Sequence, residues 1–241
     1  QSQYQIIVKE YGEIVEITDA IKPWTNYFKN IQLDRPSGGI YPYKQDNSFV
    51  DTPYSYYPHE CSVGDVDGDG EYELFVKWTP TNAQDNAQSF GKTGNVYIDC
   101  YRMNGTKLWR VDLGINIRAG SHYTQFLVYD FNGDGRAEMI CKTAPGSLDG
   151  ENAFVNQASD EKDIRIADNQ KDWRTKEGRI IGGQEYLTVF EGLTGKAIHT
   201  VFYNPNRNAE YGGEADGSFN WSDRGEDKAT YGNRGERYLA T

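Results

Sequence analysis

Asp65, Asp67, Asp69 and Glu73 stand at positions 1, 3, 5 and 9 of one short stretch, and Asp130, Asn132, Asp134 and Glu138 repeat that spacing farther along. Alternate residues of a tight loop can turn their oxygens toward one point, and a calcium ion takes about six to eight such hard ligands. Gly68, Gly70, Gly133 and Gly135 supply the backbone freedom a tight loop needs. The backbone carbonyls of Glu71 and Arg136, at position 7, are expected to complete each shell. An EF-hand would place a Glu at position 12, where this chain has Val76 and Cys141. One such stretch alone has an acidic surface turn as its plain alternative. Two at matched places point to a bound cation, with Ca2+ as the expected cofactor.

The loops recur inside a longer repeat. Residues 61–78 read CSVGDVDGDGEYELFVKW and residues 126–143 read FLVYDFNGDGRAEMICKT. Each is an apolar strand, the acidic loop and a second apolar strand. After the first come strand-like residues 95–101, an Asn104-Gly105 turn and residues 108–113. After the second come residues 185–190, a turn at Thr194-Gly195 and residues 197–203. Asn-Gly or Thr-Gly between β-rich runs is a hairpin signal. Four strands joined as a meander and then repeated describe propeller blades better than a sandwich. The expected fold is all-β: about two blades of a propeller and the start of a third, over residues 36–241. Residues 1–35 read as the tail of a small N-terminal β-domain and a linker, with Arg35 to Gly39 as the turn. Residues 147–183 form a polar insertion with a short helix expected near 160–168, and residues 204–235 form a long loop.

Composition narrows the partners. A net charge of −11 disfavours nucleic acid. No apolar run is long enough to span a bilayer, and residue 1 does not open a leader pattern. Tyr occurs 18 times, which suits strands and surfaces that stack on sugars. Cys61, Cys100 and Cys141 each lie in an apolar stretch and are expected to be buried free thiols.

If the acidic loops and the Asn-Gly turn share one face, strand polarity sends another set to the opposite face. That set holds His59, Lys77, Trp78, Thr79, Asn86, Arg118, His122 and Lys142. Cations, amides and aromatic rings suit an acidic sugar. The plain reading stays open for each: Lys77 and Lys142 occupy matching repeat positions, and Trp78 can simply pack.

The stretches GDVDGDGEYELFVKW, NGTKLWRVDLG, NIRAGSHYTQFLVYDFNGDGRAEMICKTA, EYLTVFEGLTGKA and YGNRGERYLA resemble rhamnogalacturonan lyases of polysaccharide lyase family 11. The resemblance implies an eight-bladed propeller with structural calcium ions, whose remaining blades belong to the same polypeptide. It implies cleavage of the rhamnose–galacturonate backbone of pectin by β-elimination, outside the cell or at its surface: secreted, periplasmic or cell-surface. It also implies that the catalytic groups lie outside these residues. At His59 and Thr79 the chain departs from the Asn and Asp common in the family. The other reading is a non-catalytic calcium-binding propeller for carbohydrate or protein adhesion.

Overall fold

Runs of β-branched and aromatic residues bounded by Gly, Pro, Asn and Asp build most of the elements, and strands follow from them. The computed structural model describes residues 2–23, 25–85, 88, 90–180, 182–204 and 206. The start of a third blade and nearly all of the long loop expected over residues 204–235 lie outside the described residues. The chain divides into two compact units, Gln1–Gln32 and Leu33–Thr241.

In the first unit, β1 (Ile7–Glu10) pairs antiparallel with β2 (Glu13–Ile17). In the second, β3 (Gly39–Gln45) and β4 (Ser48–Tyr54) form a hairpin that sequence reading did not anticipate beyond a turn at its start. Pro42 and Pro53 obscure it. A two-stranded ribbon has only edge strands, where a missing N–H is tolerated.

Two four-stranded antiparallel sheets follow. The first contains β5 (Tyr56–Gly64), β6 (Glu73–Pro80), β7 (Tyr97–Tyr101) and β8 (Lys107–Asp112), paired in chain order. The second contains β9 (Phe126–Tyr129), β10 (Glu138–Thr143), β11 (Tyr186–Phe190) and β12 (Ala197–Phe202), again in order. The sequence repeat therefore returns as two meanders, each with an acidic loop between its first and second strands.

The first sheet is covered on both faces, as the period of two requires. Phe75, Ile98, Cys100, Trp109 and Val111 share a core with Met139, Cys141, Tyr186 and Phe190 of the second sheet. Val76, Trp78 and Tyr101 turn the other way, toward Tyr54, Tyr56 and Leu33. Burying a side chain such as Phe75 contributes roughly 1.5–3 kcal/mol. Across the second sheet, the hydroxyls of Thr143 and Thr188 lie 2.7 Å apart and those of Thr188 and Thr200 lie 3.1 Å apart. Thr200 Oγ1 then donates to the Val155 carbonyl (2.8 Å).

The polar insertion is anchored rather than free-standing. Asp149 accepts the N–H groups of Glu151, Ala153 and Ala197. The helix α1 (Lys162–Arg165) lies within the stretch expected to hold one, and Ile164 pins it to the core. No helix among the described residues is long and apolar enough to cross a membrane.

Cysteine burial needs one correction. Cys100 and Cys141 are buried, but Cys61 is exposed, and all three are free. Cys61 sits on β5, the edge strand of its sheet, whose burial pattern leaves most side chains open.

Candidate functional site

The two acidic loops adopt one backbone conformation. Gly68 and Gly70 have φ of 79° and 87°, and Gly133 and Gly135 have 78° and 87°. These left-handed values are where glycine is needed. Asp65 Oδ1 and Oδ2 accept the N–H groups of Gly68 (2.7 Å) and Gly70 (2.8 Å). Asp130 does the same for Gly133 (2.7 Å) and Gly135 (2.9 Å). Glu73 accepts from Val66 N–H, and Glu138 from Phe131 N–H. Asp69 accepts the N–H of Glu71, and Asp134 that of Arg136. Position-1, position-5 and position-9 carboxylates thus brace both loops identically.

In the first loop, Asp65, Asp67 and Glu73 bring carboxylate oxygens within 4.8 Å of one another. Asp67 Oδ1 is buried and accepts no hydrogen bond. An orphaned buried acceptor costs roughly 1–3 kcal/mol. A hard cation is the partner this donor set suits, so the residues fit calcium. Burial pushes the Glu73 carboxyl up, while the hydrogen bond from Arg102 holds Asp67 below the usual range. In the second loop Asn132 replaces Asp67. Its Nδ2 donates to Glu138 Oε1 (2.9 Å) and Asp134 Oδ2 (3.3 Å). No trio of carboxylates draws as close there among the described residues.

The loops also join the sheets. Ala137 N–H donates to the Asp65 carbonyl (2.6 Å). Trp109 Nε1 donates to the Gly192 carbonyl (2.8 Å). Gly64 lies so close to Val128 and Ala137 that a Cβ there would meet them at 2.6 and 2.7 Å.

The opposite end of the sheets is mostly sealed. Lys77, Trp78, Thr79, Arg118 and Lys142 are each at most 2% exposed. Lys77 Nζ donates to Glu60 Oε2 (2.6 Å) and to the carbonyls of Tyr123 (2.9 Å) and Thr124 (3.2 Å). Burial pushes its pKa down against the pull of Glu60. Thr124 has φ of 59°, a strained value for a β-branched residue. Arg118 Nη2 donates to the Gln88 carbonyl (2.6 Å), and its guanidinium lies over the Tyr123 ring. Lys142 Nζ donates to Glu185 (3.1 Å) beneath the Tyr203 ring. Trp78 Nε1 donates to Asp99 (2.8 Å) on the other face of the sheet. Thr79 Oγ1 is buried without a partner.

His59 and His122 reach solvent. His59 stands 3.6 Å from Glu60, and His122 3.7 Å from Asp85. Lys77 and Arg118 both contact Tyr123, next to His122, whereas Lys142 pairs with Glu185 and Trp78 with Asp99. Asn86 lies outside the described residues. Imidazoles beside carboxylates can hydrogen-bond sugar hydroxyls or carry a proton.

Two residues escaped sequence reading. Arg102 contacts the first loop through Asp67 (2.6 Å). Its place just before the Asn104-Gly105 turn, on the loop's own face, was the available signal. Asp99 is fully buried and accepts from Trp78, Tyr101 and Arg110. Nothing in its strand context marked it.

Residues 28–241 match the family described as rhamnogalacturonan lyase family 11, C-terminal domain. The rhamnogalacturonan exolyase YesX of Bacillus subtilis (strain 168) is 44% identical over 239 residues, which cover 99% of this chain and 34% of that protein. The rhamnogalacturonan endolyase YesW of the same organism is 45% identical over 239 residues, covering 99% and 33%. The crystal structure of YesX superposes with a TM-score of 0.69 at 43% identity, over 90% of this chain and 33% of that one. The chain thus spans about a third of the length of the curated relatives it matches.

Proposed function

Because the chain belongs to rhamnogalacturonan lyase family 11, we propose that it forms part of a polysaccharide lyase that cleaves rhamnogalacturonan by β-elimination. The observation that carries this is the match of residues 28–241, supported by a solvent-facing pair of histidines at one end of the sheets. In β-elimination a base removes the proton at C5 of the uronate, and the C4 oxygen leaves to give an unsaturated uronide. The carbanion that develops is stabilised by positive charge near the uronate carboxylate.

This chain's part is one wall of a cleft. His59 and His122 contact sugar hydroxyls there. Lys77 positions the segment that carries His122 by holding the Tyr123 and Thr124 carbonyls, and Arg118 braces it against the Tyr123 ring. The two sheets are read as blades of a propeller. Asp65, Asp67, Asp69 and Glu73, with the Glu71 carbonyl, would hold one calcium ion. Asp130, Asn132, Asp134 and Glu138, with the Arg136 carbonyl, would hold another. When bound, calcium supplies fixed positive charge that ties each loop together at the end of the sheets away from the histidines. The enzyme works on polymer outside the cell or at its surface.

The test is absorbance of the unsaturated uronide, with rhamnogalacturonan and calcium. Two proteins are compared: the 241-residue chain and a hybrid of YesX carrying it in place of the matching third. The hybrid should generate absorbance and the chain alone should not. A hybrid that folds yet produces no uronide overturns the lyase reading, and activity of the chain alone overturns the shared cleft. For calcium, chelator should lower the melting temperature, since an ion bound only to the folded state stabilises it.

A further inference from the structure

Arg102 follows β7 and turns back onto the first acidic loop. Its Nη2 lies 2.6 Å from Asp67 Oδ2 and its Nη1 3.7 Å from Glu73 Oε1. Register identifies its counterpart. Tyr101 pairs with Leu74 and Phe190 with Met139, so Glu191 holds in the second sheet the place of Arg102. Glu191 accepts a hydrogen bond from Thr194 there. Its loop has Asn132 at position 3, and the Asn132 amide reaches Glu138 (2.9 Å).

Position 3 and the residue after the third strand therefore differ together. Asp67 is accompanied by Arg102, and Asn132 by Glu191. The first loop offers four ligand carboxylates and the second three. One guanidinium held against Asp67 and Glu73 brings the first loop to the same net ligand charge as the second. Arg136 also lies alongside the first loop, its side chain 3.6 Å from where a Gly68 Cβ would stand. No ion pair joins it to a first-loop carboxylate among the described residues.

We propose that Arg102 is a built-in counter-cation that offsets the extra carboxylate of Asp67 and brings the calcium affinity of the first loop down to that of the second. The inference rests on the calcium reading of both loops. Without the ion, Arg102 bridges two carboxylates that would otherwise repel. With the ion, it competes for one of its ligands. Removing it should act with opposite sign in the two states.

The test is calcium titration by calorimetry, paired with thermal melts in calcium and in chelator. The wild-type protein should titrate in a single phase. Arg102→Gln should resolve a second, tighter phase, by about fivefold, the scale of removing one solvent-exposed ion pair from a ligand. In chelator Arg102→Gln should melt below wild type, and in calcium that deficit should vanish or reverse. Arg102→Gln with Asp67→Asn rebuilds the charge of the second loop and should return a single phase. Arg102→Lys keeps the charge and should stay close to wild type.

A deficit of equal size in calcium and chelator, or an affinity unchanged or weakened by Arg102→Gln, overturns the counter-cation. A wild-type protein that holds no metal and melts alike with and without chelator overturns the calcium reading beneath it. The two failures are distinguished by the wild-type data alone.

Discussion

Replacing Lys77 with Met separates two roles for a buried amine. Lys77 is 1% exposed, and its three donor contacts go to Glu60 and to the carbonyls of Tyr123 and Thr124. Methionine fills the space but leaves both carbonyls without a donor. Each orphaned carbonyl costs roughly 1–3 kcal/mol. Glu60 is 29% exposed, so water can replace its lost partner. Burying an ammonium is itself unfavourable, which is why its pKa is pushed down, and that part is recovered. The net loss is about 3 kcal/mol, or about 6–12 °C in melting temperature for a chain of this size. The loss is local as well. Thr124, held at a φ of 59°, should relax when its carbonyl is freed. Amide exchange over residues 118–126 should accelerate more than elsewhere. Lys142→Met offers the control. It breaks a pair whose side chains are each 3% exposed and should destabilise by about 3–5 kcal/mol while leaving exchange at 118–126 unchanged. A Lys77→Met protein within about 0.5 kcal/mol of wild type, with normal exchange at 118–126, refutes the reasoning.

Gly195 has φ of 68°, and a Cβ there would stand 2.5 Å from Trp109. Gly195→Ala should therefore lose about 2–4 kcal/mol, read as a lower urea midpoint, whereas Gly70→Ala meets no atom within 4 Å and should lose only about 1 kcal/mol. Among the thiols, Cys61 should be alkylated first by iodoacetamide. Cys100 and Cys141 should react only on unfolding, since burial shields both and pushes Cys141 up to about 12; equal labelling of all three by mass spectrometry would contradict this. Burial raises the Asp172 carboxyl, but hydrogen bonds from Arg174 and Lys92 outweigh it and hold the group well below its usual value. A lowered carboxyl adds stability above its unfolded pKa and loses it as pH falls toward the folded one. The gap in melting temperature between wild type and Asp172→Asn should be full at neutral pH and close below about pH 4.

Much of the fold was legible because it repeats. The Asp-Gly loops fixed the junction between the first two strands of each sheet, and Asn-Gly and Thr-Gly fixed the last turn. Glu13–Ile17, with its β-branched Ile14, Val15 and Ile17, forms a strand. The hairpin at Gly39–Tyr54 was hidden because its prolines argue against a strand unless the partner count is known. The site was harder to read. Strand polarity placed Lys77, Arg118 and His122 at one end, and they do meet there, but period alone cannot say whether a lysine faces water or a neighbouring loop. The loop that buries Lys77 comes from residues 123 and 124, far along the chain. The turn after Arg102 shares the acidic loop's face, which brings the residue near that loop, but its pairing with Asp67 is a tertiary contact that no spacing rule gives.

The bonds that Ala137 and Gly192 make with the first sheet all point backward along the polypeptide. Asp65 waits for a donor from the following sheet, and the Trp109 indole waits for a carbonyl later still. A ribosome delivers the N-terminal sheet first. While that sheet is the newest one made, its acidic loop and its indole lack their final partners. The first sheet is thus completed by the second, and its assembly trails synthesis by one repeat. A nascent chain arrested after the first sheet should expose the Trp109 indole to quenchers, and extension through Gly192 should hide it.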